Sequence, residues 1–148
     1  MINDKPMEIP FEFEQVYDAS IAKVWQALTD KDKMKQWYFQ LEKFEARVGF
    51  EFEFSGGDDK VQYRHLCRIT AVETEKKLSY TWTYPDYEGH SEVSFELFPD
   101  GDRTLVRITH TGVESFPQNN PNFAPSSFNA GWNHILGTSL KNFVEKDN

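Results

Sequence analysis

The side chains able to do chemistry near neutral pH are four histidines and one cysteine in a chain of 148 residues. Imidazole titrates in that range and a thiolate is a nucleophile. His110 alternates with Val106 and Ile108, and His65 with Tyr63 and Cys67, the period of a strand with one buried face. Both rings are therefore expected to face an apolar interior, where an imidazole could move protons on a bound substrate. The competing reading outweighs it: a buried histidine hydrogen-bonded to backbone or tyrosine. His134 falls off the apolar stripe of its helix and His90 in a turn, so both are expected at the surface.

Other chemistries find no support. The histidines are scattered, no helical His-x-x-x-His pair occurs and Cys67 has no partner cysteine, so no metal site is expected. SGGDDK is acidic and leads into a hairpin, unlike a phosphate loop, and no Gly-x-Ser-x-Gly elbow is present. Glu12, Glu14, Glu51 and Glu53 alternate with Phe or lie beside it, which marks a solvated sheet face. No catalytic residue and no cofactor is assigned.

The aromatic residues are more informative: 13 Phe, 6 Tyr and 4 Trp make a load that demands burial. Tyr80, Trp82 and Tyr84 share one strand face, and with Trp37 and Trp132 they could line one apolar chamber. Tyr63, His65 and His110 would supply the few polar groups that orient a ligand there. A fully packed aromatic core is the alternative, and composition does not decide between them.

These residues need elements to hold them. FEFEQVYD from Phe11 alternates as a half-buried strand, after a polar lead-in at 1–10. Ser20 is placed to cap a helix carrying Ile21, Val24, Trp25 and Leu28 on one side, and a second short helix is predicted over Asp32–Trp37. Strand patterns follow at Phe44–Val48, Phe50–Phe54, Val61–Ile69, Tyr80–Tyr84, Val93–Leu97 and Val106–His110, separated by short polar turns. Such turns imply an antiparallel meander. Val113–Ser127, with Pro117, Pro121 and Pro125, reads as a long loop expected to gate a site. The last segment places Phe128, Trp132, Ile135, Leu136, Leu140 and Phe143 on one helical stripe.

A meander with one apolar face needs a cover, and the long amphipathic element is the C-terminal one. The expected fold is α+β: a curved antiparallel β-sheet wrapped around a long C-terminal α-helix, with two short helices after the first strand. Residues 11–148 form a single domain in this reading. Gly49 is expected to bend a strand, and Gly131 and Gly137 to allow close helix approach. Sixteen basic against 24 acidic residues give a net charge of −8, which disfavours nucleic acid and anionic membranes as partners. No apolar signal segment or spanning helix is evident, and the single cysteine fits a cytoplasmic location.

Taken in order, VWQALTD (24–30) with Trp37, RVG (47–49), LSYTW (78–82), TLVRITHTG (104–112) and GWNHILGTSL (131–140) resemble a known family. It is that of the activator of heat-shock-protein-90 ATPase homologues, within the START/Bet v 1-like (SRPBCC) superfamily. The resemblance implies a helix-grip fold and a cavity for a hydrophobic small molecule, lipid-, polyketide- or flavonoid-like. Phe50 and Cys67 stand where the family usually has glycine, which implies a narrower cavity. The superfamily also admits two other functions: a polyketide cyclase or dehydratase using an inward His or Tyr, and a chaperone-contacting module. A homodimer contact is left open by the sequence.

Overall fold

A computed structural model describes residues 11–57 and 60–146. The lead-in at 1–10 and Asp58 and Asp59 of the SGGDDK turn lie outside the described residues.

Strand β1 (Phe11–Tyr17) keeps the alternation of FEFEQVY, with its glutamates in solvent. Ser20 then caps α1 (Ile21–Thr29), its hydroxyl accepting from the Lys23 amide. Asp30 ends that helix and caps α2 (Lys31–Trp37) by accepting from the Asp32 amide. The remaining strands are β2 (Glu51–Gly57), β3 (Gln62–Glu73), β4 (Lys77–Trp82), β5 (Ser91–Asp100) and β6 (Arg103–Thr111). They form one antiparallel sheet in the order β1-β6-β5-β4-β3-β2. Consecutive strands thus pair from β2 to β6, while β1 lies at the opposite edge from β2. The two short helices carry the chain between those edges.

The C-terminal element is a helix of three parts: α3 (Pro125–His134), a π-helical stretch Ile135–Leu140, and α4 (Lys141–Glu145). Its buried residues are Phe128, Trp132, Leu136, Leu140 and Val144, spaced by four throughout. In a regular α-helix each step of four drifts about 40° around the axis, so such a stripe would turn away from the sheet. The wide π turn cancels the drift and shifts the register by one residue. Val144 is therefore buried where the regular stripe called for Phe143, which is only partly covered. Tyr17 of β1 donates to the Leu136 carbonyl at 2.7 Å, tying the π stretch to the sheet edge.

Other expectations need correction. Phe44–Val48 forms no strand: Phe50 N–H donates to the Arg47 carbonyl, Gly49 takes φ +91°, and Val48 is 60% exposed. Of the alternating residues there, Phe44 rests on Phe52 of β2 while Val48 faces solvent, and the run has no partner strand. Gly49 makes a turn rather than a bent strand, an added Cβ at Gly131 would touch nothing within 4 Å, and Gly137 comes no nearer than 3.9 Å to Phe13. Val61 precedes β3 and is exposed. The segment after β6 is more ordered than a loop, with 3-10 turns at Val113–Ser115 and Pro121–Phe123 and α3 beginning at Pro125. Phe116 and Phe123 bury there almost completely, anchors the polar and proline-rich composition masked.

Candidate functional site: an aromatic interior between sheet and helix

Trp82 stands at the centre of the interior. Its ring lies 4.9 Å from His65, 5.2 Å from His110 and 5.6 Å from Trp132, centroid to centroid. Its indole N–H donates to the Tyr84 hydroxyl at 2.9 Å. Strand alternation delivers His65, Trp82 and His110 to one face of β3, β4 and β6, and helical spacing brings Trp132 down onto them.

His110 is fully buried and both ring nitrogens are engaged. Trp132 Nε1 donates to Nδ1 at 3.0 Å, while Nε2 lies 2.9 Å from Ser91 Oγ. Ser91 in turn donates to the Trp82 carbonyl at 2.8 Å. Since the serine proton is directed to that carbonyl, Nε2 must carry the imidazole proton and Nδ1 must accept. This chain therefore requires the neutral ring, and burial holds the pKa down to about 3. It joins α3, β6, β5 and β4 in one hydrogen-bonded path. Ser91 has a role here that its position before an apolar run did not announce.

His65 stacks on Phe54 at 4.4 Å with an interplanar angle of 10°. Its Nδ1 lies 3.3 Å from the Phe54 carbonyl, and burial lowers its pKa to about 4. Neither inward histidine is thus poised to exchange a proton near neutrality. Cys67 is buried, and that burial pushes its thiol up, away from a reactive thiolate. His90 and His134 are exposed. Among the described residues, no group of three or more His, Cys, Asp or Glu could hold a metal ion.

The remaining expected residues divide between two neighbourhoods. Tyr63 lies at the far end of the sheet, 5.2 Å from Phe123 and 5.9 Å from Tyr84. Its hydroxyl accepts from Asn122 Nδ2 at 2.9 Å and Asn120 Nδ2 at 3.2 Å, so it fastens the segment after β6. Trp37 does not meet the Trp82 group directly. It donates to the Ala27 carbonyl at 2.8 Å and stacks on Tyr38 at 5.0 Å.

Tyr38, unremarked in the sequence, links the two. Its ring is half-buried, 5.7 Å from Phe54 and 6.2 Å from Trp132, and its hydroxyl lies 2.6 Å from that of Tyr80. Burial raises the pKa of both phenols, keeping them neutral. The following stretch lacks regular structure up to β2 and lays Phe39, Phe44 and Phe50, each partly covered, along that strand's edge. Phe39 stacks on Phe54 at 4.4 Å and Phe44 meets Phe52 at 5.2 Å. The aromatic run WYF at 37–39 was the available signal, hidden because it straddles a helix end.

A groove of about 1000 Å³ runs along β2–β4, with Glu51, Glu53, Leu66, Arg68 and Thr83 among its walls and Phe52, Phe54 and Cys67 also bordering it. The space between sheet and helix is occupied by the rings described above.

No curated protein matches the sequence. Among solved structures, protein CV1439 from Chromobacterium violaceum superposes with a TM-score of 0.78 at 20% identity, over 93% of this chain and 98% of its own. CalU16 from Micromonospora echinospora gives a TM-score of 0.72 at 25% identity, over 93% of this chain and 77% of CalU16. DynU16, from the dynemicin biosynthetic locus, gives 0.75 at 20% identity over 95% of this chain, which spans only 48% of DynU16. These likenesses show the fold. The profile of the family described as Activator of Hsp90 ATPase homolog 1-like protein matches residues 18–145, over most of the chain. With its six-stranded curved sheet and C-terminal helix, the chain belongs to that family and has the helix-grip fold of the SRPBCC superfamily.

Proposed function

We propose that residues 11–148 act as one unit that binds a hydrophobic or aromatic small molecule between the sheet and the C-terminal helix, without transforming it. The observation that carries this reading is the composition of the interior. It is apolar and filled by rings, with a few neutral hydroxyl and indole groups, and one side is closed by an irregular aromatic segment rather than a strand, so a ligand enters by displacing a ring of that segment. Affinity would come from apolar burial, at roughly 25 cal/mol per Å².

The histidines support binding over catalysis. A general acid or base works best with a pKa near the working pH. Burial holds His65 near 4 and His110 near 3, and His110 has both nitrogens committed. A cyclase or dehydratase mechanism through these rings is correspondingly disfavoured. Cytoplasmic location belongs to the same reading, supported by the lone buried thiol of Cys67. Among the described residues, no helix is long and apolar enough to cross a membrane.

Thermal unfolding of the whole chain against flavonoids, polyketides, fatty acids and sterols tests this. A compound at 100 times its Kd should add about 2.7 kcal/mol, a rise in Tm of a few degrees. A shift for one class, reduced in Trp82→Ala, is the expected outcome. No shift for any class would overturn the reading and turn attention to a protein partner.

A further inference from the structure

Tyr38 occupies the interior from outside it. It belongs to neither the sheet nor the long helix, yet its ring lies nearly parallel to Trp37 and Trp132, with interplanar angles of 24° and 20°. The ring lies 5.7 Å from Phe54 at a tilt of 52°, and the hydroxyl meets Tyr80 at 2.6 Å. Tyr80 is only 1% exposed, so its hydroxyl has been removed from water and needs a partner. The Tyr38 hydroxyl is out of water too, but the residue as a whole keeps partial exposure and sits where α2 gives way to irregular chain. One of the two partners is fixed in the wall, and the other hangs from a connection.

We propose that Tyr38 holds the place of the ligand: the slot between Trp37, Trp132 and Phe54, closed at its inner end by the Tyr80 hydroxyl, takes a planar hydroxylated aromatic molecule when Tyr38 swings out. This rests on the binding function proposed above and names its ligand class. A flat ring satisfies the stacking surfaces. A phenolic or carbonyl oxygen satisfies Tyr80, whose hydroxyl can donate or accept. A saturated lipid could offer Tyr80 an oxygen but nothing flat to the stacking surfaces. Phe39 would move with Tyr38, since it touches the Tyr38 ring at 4.7 Å, edge to face, while the chain at Gly49 and Phe50 stays bonded to Ile69.

Internal occupancy weakens apparent affinity by the fraction of molecules with the slot open. Removing the occupant and removing the anchor should therefore act in opposite directions. The probes are p-cresol, which reproduces the displaced side chain, toluene as its oxygen-free counterpart, and 2-naphthol, titrated into the full chain. Tyr38→Ala is expected to bind p-cresol about tenfold or more tightly than the parent chain. It should prefer p-cresol to toluene by about fivefold to tenfold, the worth of one hydrogen bond, and Tyr80→Phe in that background should abolish the preference. In the parent chain, saturation with 2-naphthol should move the Tyr38 ring resonances to solvent-like shifts, a readout that does not depend on the alanine variant folding.

Equal affinity of Tyr38→Ala for p-cresol and toluene would overturn the assignment. So would 2-naphthol binding that leaves the Tyr38 resonances in place, or no 2-naphthol binding at all. If 2-naphthol fails while another class shifts Tm, the slot falls and the broader binding function stands. If the parent chain binds nothing and only Tyr38→Ala takes p-cresol, the slot is a cavity made by the substitution and both readings fall.

Discussion

The His110 neighbourhood and the Tyr38–Phe50 connection are both aromatic, both touch the same interior, and differ in how they are held. Around His110 a directed chain runs from the Trp132 indole through imidazole and Ser91 to the Trp82 carbonyl, with His110 and Ser91 almost fully buried. Along the connection, Tyr38, Phe39, Phe44 and Phe50 are each partly exposed; Tyr38, Phe39 and Phe44 meet β2 through ring contacts, Phe50 meets Phe44, and the Tyr38 hydroxyl pairs with that of Tyr80. Gly49 donating to Ile69 and Ile69 donating to Phe50 secure its far end. Directional polar contacts in a low-dielectric interior are costly to open, whereas half-solvated rings lose little by moving. Scaffold and opening are thereby assigned to different parts of one aromatic core.

The largest test of that contrast is His110→Ala. It removes two hydrogen bonds, strands the Trp132 N–H and leaves a cavity, so chemical denaturation should show a loss of about 3 kcal/mol. A loss below about 1 kcal/mol would remove the distinction between the two regions.

Acid should reach the same region next. Both inward histidines have folded pKa values below the ordinary imidazole value, so the unfolded chain binds more protons as pH falls below about 6.5. Their contribution is intact above that pH and is lost progressively toward the folded values near 4 and 3. Between pH 6.5 and 5.5 the two together should cost about 2 kcal/mol, read from denaturation midpoints at each pH. His65→Asn should flatten the slope by about half; an unchanged slope would mean that the ring is not held neutral.

Two glycines sharpen the contrast at smaller scale. At Gly112, with φ +89°, a Cβ would lie 2.5 Å from the His90 carbonyl oxygen, a backbone atom that cannot yield. At Gly56 the nearest atom, 2.7 Å away, is Cε1 of Phe39, the tip of a partly exposed ring on the connection. Gly112→Ala is expected to cost about 2 kcal/mol and Gly56→Ala at least about 1 kcal/mol less, measured as unfolding free energies. Equal costs would show the Phe39 ring to be as fixed as backbone.

How much of this was legible in the sequence follows from which signals are local. Alternation over Tyr63–Ile69, Tyr80–Tyr84 and Val106–His110 reports which side of a strand is wet, and it placed His65, Trp82 and His110 on the inner face. The Ser20 and Asp30 caps are likewise local, and the two short helices fell where expected, α2 beginning one residue earlier. Phe44–Val48 alternates too, yet pairing requires a neighbouring strand and no residue pattern reveals that none is available. The π turn is invisible for a related reason: it answers a demand of the sheet for spacing by four, expressed only when Val144 rather than Phe143 meets the core. Tyr38 escaped because a side chain at a helix end belongs to no periodic face. Its partner Tyr80 lies 42 residues away.

Native-state hydrogen exchange of the unliganded chain, followed across low denaturant concentrations, tests the division most directly. The Trp132 indole and the His110 amide should exchange only through global unfolding, with the full denaturant dependence. The Gly49 amide, bonded to the Ile69 carbonyl at 2.8 Å, should exchange through a smaller opening nearly independent of denaturant. Exchange of all three by the same global route would contradict the account, because the connection would then be part of the scaffold.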